Sequence, residues 1–281
     1  MKKSINFWSF AAGTTVPEAI RLAKDAGFNG IELALAGTGL MGLDVPGAAA
    51  EAKRIAEGEG MKLPTLACGL CWDYLLTSTL PAVRDQAKDM IKRQVDTAAV
   101  LGAEAILVLA GAVGVDFLPG GGSDLMPYDE AYDASLEAFR ELAPYAGQAK
   151  VSLAIENVWN KFLLSPLELR DFIDKVGSPY VGSYFDVGNV ILTGYPEQWI
   201  RILGKRIKAV HLKDYRRDPG GFNCFCDLLS GDVNYPEVMK AFGEAGYDGW
   251  FAPEMIPNYK HYSSQTIYNA SASCDRILGR K

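Results

Sequence analysis

One pattern of apolar and polar positions recurs along the chain. A helical-period apolar stripe runs into a glycine, then a few polar residues, then a short unbroken apolar run. It is written in "AIRLAKDAGFNGIELAL" (19–35), "VDTAAVLGAEAILVLAG" (95–111) and "VMKAFGEAGYDGWFAPE" (238–254). The glycine suits a helix C-cap, where a positive φ is needed. Apolar runs without alternation suit strands buried on both faces, as in parallel sheet.

Such runs predict eight strands, over Ile5–Phe10, Gly30–Ala34, Leu63–Ala67, Ala105–Leu109, Ser152–Glu156, Val181–Asp186, Ile207–Leu212 and Trp250–Met255. Helical patterns fill the gaps, among them Pro17–Ala26, Ala82–Leu101, Tyr132–Ala146 and Pro166–Val176. Pro17, Pro81 and Pro166 fall at helix starts, where a missing N–H costs little. Eight β-then-α units in 281 residues predict an α/β fold, a (β/α)8 TIM barrel, in one domain over 1–281. A doubly wound open sheet is the alternative. It lacks support, because no G-x-G-x-x-G follows the first strand.

Composition narrows the function classes. Apolar residues make up 49% and charged residues 22%, ordinary for a soluble globular chain. The net charge of −6 and the lack of a basic block argue against nucleic acid as partner. No apolar run approaches the length of a membrane span. The opening "MKKSINFWSFAAGTT" is read as a first strand rather than a secretory leader, since its greasy stretch is short and broken by Asn6 and Ser9. Five cysteines, an odd count in a chain this long, fit a reducing cytoplasm better than a disulfide framework. Cys68 and Cys71 form a C-x-x-C without a matching second one, and Cys224/Cys226 do not complete it, so structural zinc is not expected.

The ends of the late strands carry the chemistry. The fifth ends at Glu156 ("VSLAIEN"), the sixth at Asp186 ("FDVGN"), the seventh at His211 ("VHLKD") and the eighth at Glu254 ("FAPEM"). The separations of 30, 25 and 43 residues are about one βα unit each, with an extra loop before the last. In a barrel these ends converge on the C-terminal face. Three carboxylates brought together would repel, and a divalent cation resolves that. Oxygen donors with one imidazole suit Mn2+, Mg2+ or Co2+ better than thiol-rich zinc chemistry.

Other polar residues read differently. Glu32 in "GIELAL" reads as a salt-bridged or solvated strand end, with substrate contact as the other reading. Asp214 reads as loop or as support for His211, and His261 as surface. Trp8, Phe10 and Trp72 fall at or past strand ends and would wall a pocket or pack the core. The Gly-rich 111–127 stretch after the fourth strand reads as a lid or a plain solvent loop.

With these residues in view, the chain resembles the xylose isomerase-like TIM barrels. Within them it is similar to the sugar and sugar-phosphate isomerases and epimerases, including tagatose/psicose 3-epimerases and ribulose-5-phosphate 3-epimerases. The match rests on Glu156 in "AIEN", Asp186 in "FDVGN", His211 in "VHLKD" and Glu254 in "APEM". The resemblance implies that these four bind one divalent metal ion, Mn2+ first among Mg2+, Co2+ and Zn2+. It further implies that Glu156 and Glu254 serve as an acid/base pair. An enediolate route to a ketose 3-epimer needs such a pair, one base on each face of the carbon.

By position the resemblance also brings in Arg217, six past His211, and Asn189, three past Asp186, as substrate-binding residues. Where tagatose-type enzymes have a histidine this chain has Asn189, and where they have a second glutamate it has Phe162. Those departures tilt the expected substrate toward a different or phosphorylated ketose. Family members are often dimers or tetramers, so a homo-oligomer is allowed for. An inosose dehydratase-type lyase and a hydroxypyruvate isomerase share the scaffold and stay open as alternatives. So does a non-catalytic sugar-binding barrel. A three-zinc endonuclease is not expected, because that site needs many histidines and this chain has two.

Overall fold

Eight short parallel strands form one ring with helices around it, in a computed structural model that describes residues 1–42, 45–117, 122 and 124–280. In chain order the elements are β1 (Lys2–Lys3), α1 (Val16–Asp25), β2 (Leu33–Leu35), α2 (Ala48–Gly58), β3 (Thr65–Cys68), α3 (Pro81–Leu101), β4 (Ala105–Val108) and α4 (Tyr128–Ala149). They continue as β5 (Ser152–Glu156), α5 (Pro166–Val176), β6 (Val181–Asp186), α6 (Pro196–Leu203) and β7 (Ile207–Leu212). Last come β8 (Asp214–Tyr215), β9 (Phe225–Cys226), α7 (Tyr235–Ala245), β10 (Trp250–Pro253) and α8 (Ser263–Ile277). The large sheet runs β1-β10-β7-β6-β5-β4-β3-β2, parallel throughout. Its two ends meet where the Glu32 N–H donates to the Ile5 carbonyl at 2.8 Å and the Phe7 N–H to the Glu32 carbonyl at 2.9 Å. This is the (β/α)8 barrel that the sequence pattern predicts.

The helix boundaries follow local chemistry. Thr15 and Glu18 form a capping box at the start of α1, and Ser165 accepts the Glu168 N–H at the start of α5. Gly102 and Gly246 end α3 and α7 with φ of +80° and +70°, the C-caps that the recurring pattern anticipates.

The first strand differs from its predicted position. It lies at Lys2–Lys3, and Phe7–Ser9 is a 3-10 turn rather than strand. Two causes act together. The Asn6 side chain accepts the Trp8 N–H at 2.7 Å and bends the backbone away from the ladder. Lys3, polar in sequence, is buried because its ammonium pairs with Asp275 of α8 at 2.6 Å. The eighth barrel strand closes at Pro253, so Glu254 stands just beyond it.

The main apolar core lies between the sheet and the helices. The barrel interior is unusual in being lined by alanines. Ala34, Ala67, Ala105, Ala154 and Ala209 surround Leu107 and Tyr184. Small side chains leave room for the Tyr184 ring and, above it, for a polar layer. On the wall between β3 and β4, the buried Gln94 of α3 donates to the Leu66 and Leu107 carbonyls, both at 3.0 Å. All five cysteines are free, and among the described residues no helix is long and apolar enough to cross a membrane.

Gln94→Leu keeps the volume and removes both hydrogen bonds. It is expected to cost about 1–3 kcal/mol, read as a lower urea midpoint at unchanged m-value. An unchanged midpoint would show that the clamp contributes nothing.

Candidate metal centre and its cavity

Four strand ends deliver four side chains to one point. Glu156 closes β5, Asp186 closes β6, His211 lies one residue from the end of β7, and Glu254 follows β10. Each offers a ligand atom, and these atoms all lie within 4.8 Å of one another. All four residues are buried. The His211 Nδ1 stands 3.3 Å from Glu254 Oε2, 3.7 Å from Glu156 Oε1 and 4.0 Å from Asp186 Oδ2.

The other imidazole nitrogen is already committed. His211 Nε2 lies 2.7 Å from Glu32 Oε1. Glu32 is fully buried inside the barrel, where Asn6 Nδ2 donates to Oε1 at 2.6 Å and the Tyr184 hydroxyl donates to Oε2. Burial favours the neutral acid, but the imidazole outweighs it and holds the Glu32 carboxyl below its ordinary range. An ionised Glu32 only accepts, so Nε2 carries the hydrogen and Nδ1 faces the three other carboxylates. This makes Glu32 a salt-bridged strand end, as its first sequence reading had it, and it is the group that orients His211.

Lys213, two residues on and so on the same side of the chain, reaches the cluster as well. Its ammonium lies 3.2 Å from Asp186 Oδ2 and 2.5 Å from Glu254 Oε2. The titration behaviour follows from this packing. Burial, reinforced by the Glu254 charge, pushes the Glu156 carboxyl up to about 7. Glu254 goes the other way despite its burial, because Lys213 and His211 hold it down at about 2. Asp186 is raised by burial. For Lys213 burial works against the charge, but Asp186 and Glu254 win and raise it.

The donor set fits a divalent cation. Asp186 Oδ2, His211 Nδ1 and Glu254 Oε2 are buried and gathered at one point; the two oxygens share the single Lys213 ammonium, and Nδ1 has no hydrogen-bond partner. With all three carboxylates ionised against one ammonium, two negative charges stand in a closed space, which one divalent ion would balance. Three oxygen donors and one imidazole are suitable for Mn2+ or Mg2+.

A cavity of about 260 Å³ opens directly over this cluster. Glu156, Glu254 and Lys213 line it, whereas Asp186 and His211 do not. Trp8 and Trp72 also line it, as one sequence reading had it, while Phe10 packs into the core. Phe117, from the Gly-rich 111–127 stretch, contributes too; residues 118–121 and 123 of that stretch lie outside the described residues.

The two expected substrate-binding residues are placed differently. Asn189 lines the cavity, and its polar groups hold the site together. Its N–H donates to Asp186 Oδ1 at 2.9 Å and its amide to the Asn157 carbonyl at 3.0 Å. Asn157 in turn clamps the Asp186 backbone through both its N–H and its carbonyl. The structure does not bring Arg217 to the cavity lining. Its N–H donates to Asp232, its Nε donates to the Ile191 carbonyl at 3.1 Å, and its guanidinium lies over the Tyr195 ring. His261 is exposed, as its sequence reading had it.

Asp214 is buried support rather than plain loop. Its carboxylate accepts the N–H groups of Tyr215, Leu229 and Val233 at 2.9–3.1 Å. These bonds pin the excursion between β7 and α7, which carries the small antiparallel pair β8–β9. Gly231 passes so close that a Cβ there would fall 2.2 Å from Asp214 Oδ1. Sequence reasoning missed Lys213, Asn157 and the orienting role of Glu32. The spacing signal existed for Lys213, at i+2 from His211.

Glu32→Gln is expected to weaken divalent-metal binding about 10–100-fold, measured by Mn2+ titration, with the fold retained. Unchanged affinity would show that Glu32 does not orient the ligand.

Comparison with known proteins places this geometry. A 2-epi-5-epi-valiolone 7-phosphate 2-epimerase of Actinoplanes sp. is 32% identical over 205 residues, covering 72% of this chain and 69% of the relative. A putative L-ribulose-5-phosphate 3-epimerase of Escherichia coli is 26% identical over 253 residues, covering 85% and 83%. The solved D-psicose 3-epimerase of Clostridium cellulolyticum H10 shares the fold, at a TM-score of 0.79 and 19% identity over 99% of both chains. The model of the xylose isomerase-like TIM barrel family matches residues 20–273, and the chain belongs to that family.

Proposed function

We propose that this protein is a divalent-metal-dependent epimerase or isomerase of a ketose or ketose phosphate, working through an enediolate with Glu156 and Glu254 as its acid/base pair. One observation carries the reading. Of the four clustered residues, only the two glutamates also face the cavity. Asp186 and His211 lie behind them, where they serve a cation but not a substrate. The epimerase names of the relatives point the same way.

Glu156, Asp186, His211 and Glu254 would hold the ion, with Mn2+ as first choice. When bound it would supply positive charge beside the oxygens on which negative charge builds. The chain's own residues do the proton work. One glutamate takes the proton from the carbon next to the carbonyl, and the other returns a proton to that carbon. Lys213 keeps Glu254 ionised in the resting cluster. Asn157 and Asn189 fix the Asp186 backbone and carboxylate behind the two glutamates.

Glu254→Gln is expected to lower exchange of solvent deuterium into a ketose by about 10²–10⁴-fold with an unchanged circular dichroism spectrum. Full activity in that variant would sink the acid/base assignment. In the parent protein, chelation should abolish exchange and Mn2+ restore it. Label at C3 with inverted product marks an epimerase, and label at C1 or C2 an isomerase. Loss of water marks a lyase, and no exchange at all a binding protein.

A further inference from the structure

One cation already sits among the strand-end carboxylates, the ammonium of Lys213. The base of this residue is held firmly. The Tyr235 hydroxyl donates to its carbonyl at 2.9 Å, and a Cβ on Gly188 would fall 2.4 Å from the Lys213 Cβ, so the chain after β6 closes against it. Beyond that base the side chain is a flexible four-carbon stem carrying a compact charge. The charge rests between two surroundings. On one side are Asp186 Oδ2 at 3.2 Å and Glu254 Oε2 at 2.5 Å. On the other is Phe225, whose ring centroid lies 5.3 Å away, in the cavity that Lys213 itself helps to line.

The ammonium is an incomplete partner for the cluster. Asp186 Oδ1 accepts the Asn189 N–H, so Oδ2 is the oxygen that this residue has left, and Lys213 occupies it. Glu254 Oε2 is taken in the same way. His211 Nδ1 is an acceptor, because Nε2 is committed to Glu32, and the ammonium leaves it without a partner. A divalent ion competes for the same two oxygens with twice the charge and suits the free imidazole nitrogen as well. Two cations gathered on one pair of oxygens repel each other. The one carried on a flexible stem, with an aromatic face beside it, is the one that gives way.

We propose that Lys213 is the resident counter-ion of the cluster: in the unloaded protein its ammonium stands in for a divalent cation at Asp186 and Glu254, and on loading it swings off them toward Phe225 and the cavity. The cavity then holds a free ammonium only in the loaded protein, so the oxygens of a ligand meet a charged donor after the ion and not before. The proposal rests on the metal reading of the cluster and requires no particular sugar or reaction.

The test compares the full-length protein after chelation and after Mn2+ loading. Lysines are acetylated briefly and followed by peptide mass spectrometry, with the exposed Lys150 and Lys205 as references. Lys213 should be protected in the chelated protein and label severalfold faster in the loaded one, against unchanged references. Lys213→Met removes the competing charge and should bind Mn2+ about tenfold or more tighter than the parent in a calorimetric titration. When chelated, this variant should melt at a lower temperature than the parent, because the buried carboxylates lose their cation, and Mn2+ should close that gap.

Lys213 labelling that is equal in the two states, or lower on loading, overturns the proposal, whether or not the variant folds. So does a folded variant that binds Mn2+ no tighter than the parent. In both cases Mn2+ binding by the parent keeps the metal reading in place. A parent that binds no Mn2+ removes that reading and this proposal with it.

Discussion

The site depends on one electrostatic constraint, the burial of four carboxylates around a single imidazole. Glu32, Glu156, Asp186 and Glu254 are all withdrawn from water and gathered at His211. Each buried charge costs several kcal/mol unless opposite charge and hydrogen bonds offset it. Glu32 is offset from within the barrel by Asn6, Tyr184 and the imidazole. The other three are offset in part by Lys213, and the balance calls for a cation. The alanine-lined interior follows from this arrangement. Bulky side chains there would leave no space for Tyr184, and without Tyr184 the Glu32 carboxylate would lose one of its donors.

Much of this was legible in the sequence, and the gaps have physical causes. The fifth, sixth and seventh strands match their predicted bounds to the residue. They are central, apolar and unbroken, so hydrophobicity alone marks them. β1 was displaced because its residues are two lysines, one of them neutralised by Asp275, 272 residues away in sequence. The cluster itself could be read because each member ends an apolar run, and such ends converge in a barrel. Partnerships across the barrel could not be read this way. Glu32 and His211 are 179 residues apart, and no local pattern records that one orients the other. Arg217 illustrates the opposite limit, since position past His211 says nothing of where a loop side chain turns.

Strand geometry explains how one short stretch serves several ends. In "HLKD", His211 and Lys213 lie two apart and present their charges to the same cluster. Leu212 between them is buried in the apolar core. Asp214 gathers the N–H groups of the following excursion and thereby fixes β8–β9 and its rings. The stretch so connects the metal-capable cluster to Phe222 and Phe225, which line the cavity. A change of loop beyond Asp214 would alter the shape of the cavity and leave the strand-end carboxylates where they are. The strand-end cluster and the loop that lines the cavity are thus carried by adjacent but separable parts of the same βα connection, a division that a barrel allows because its loops vary without moving its strands.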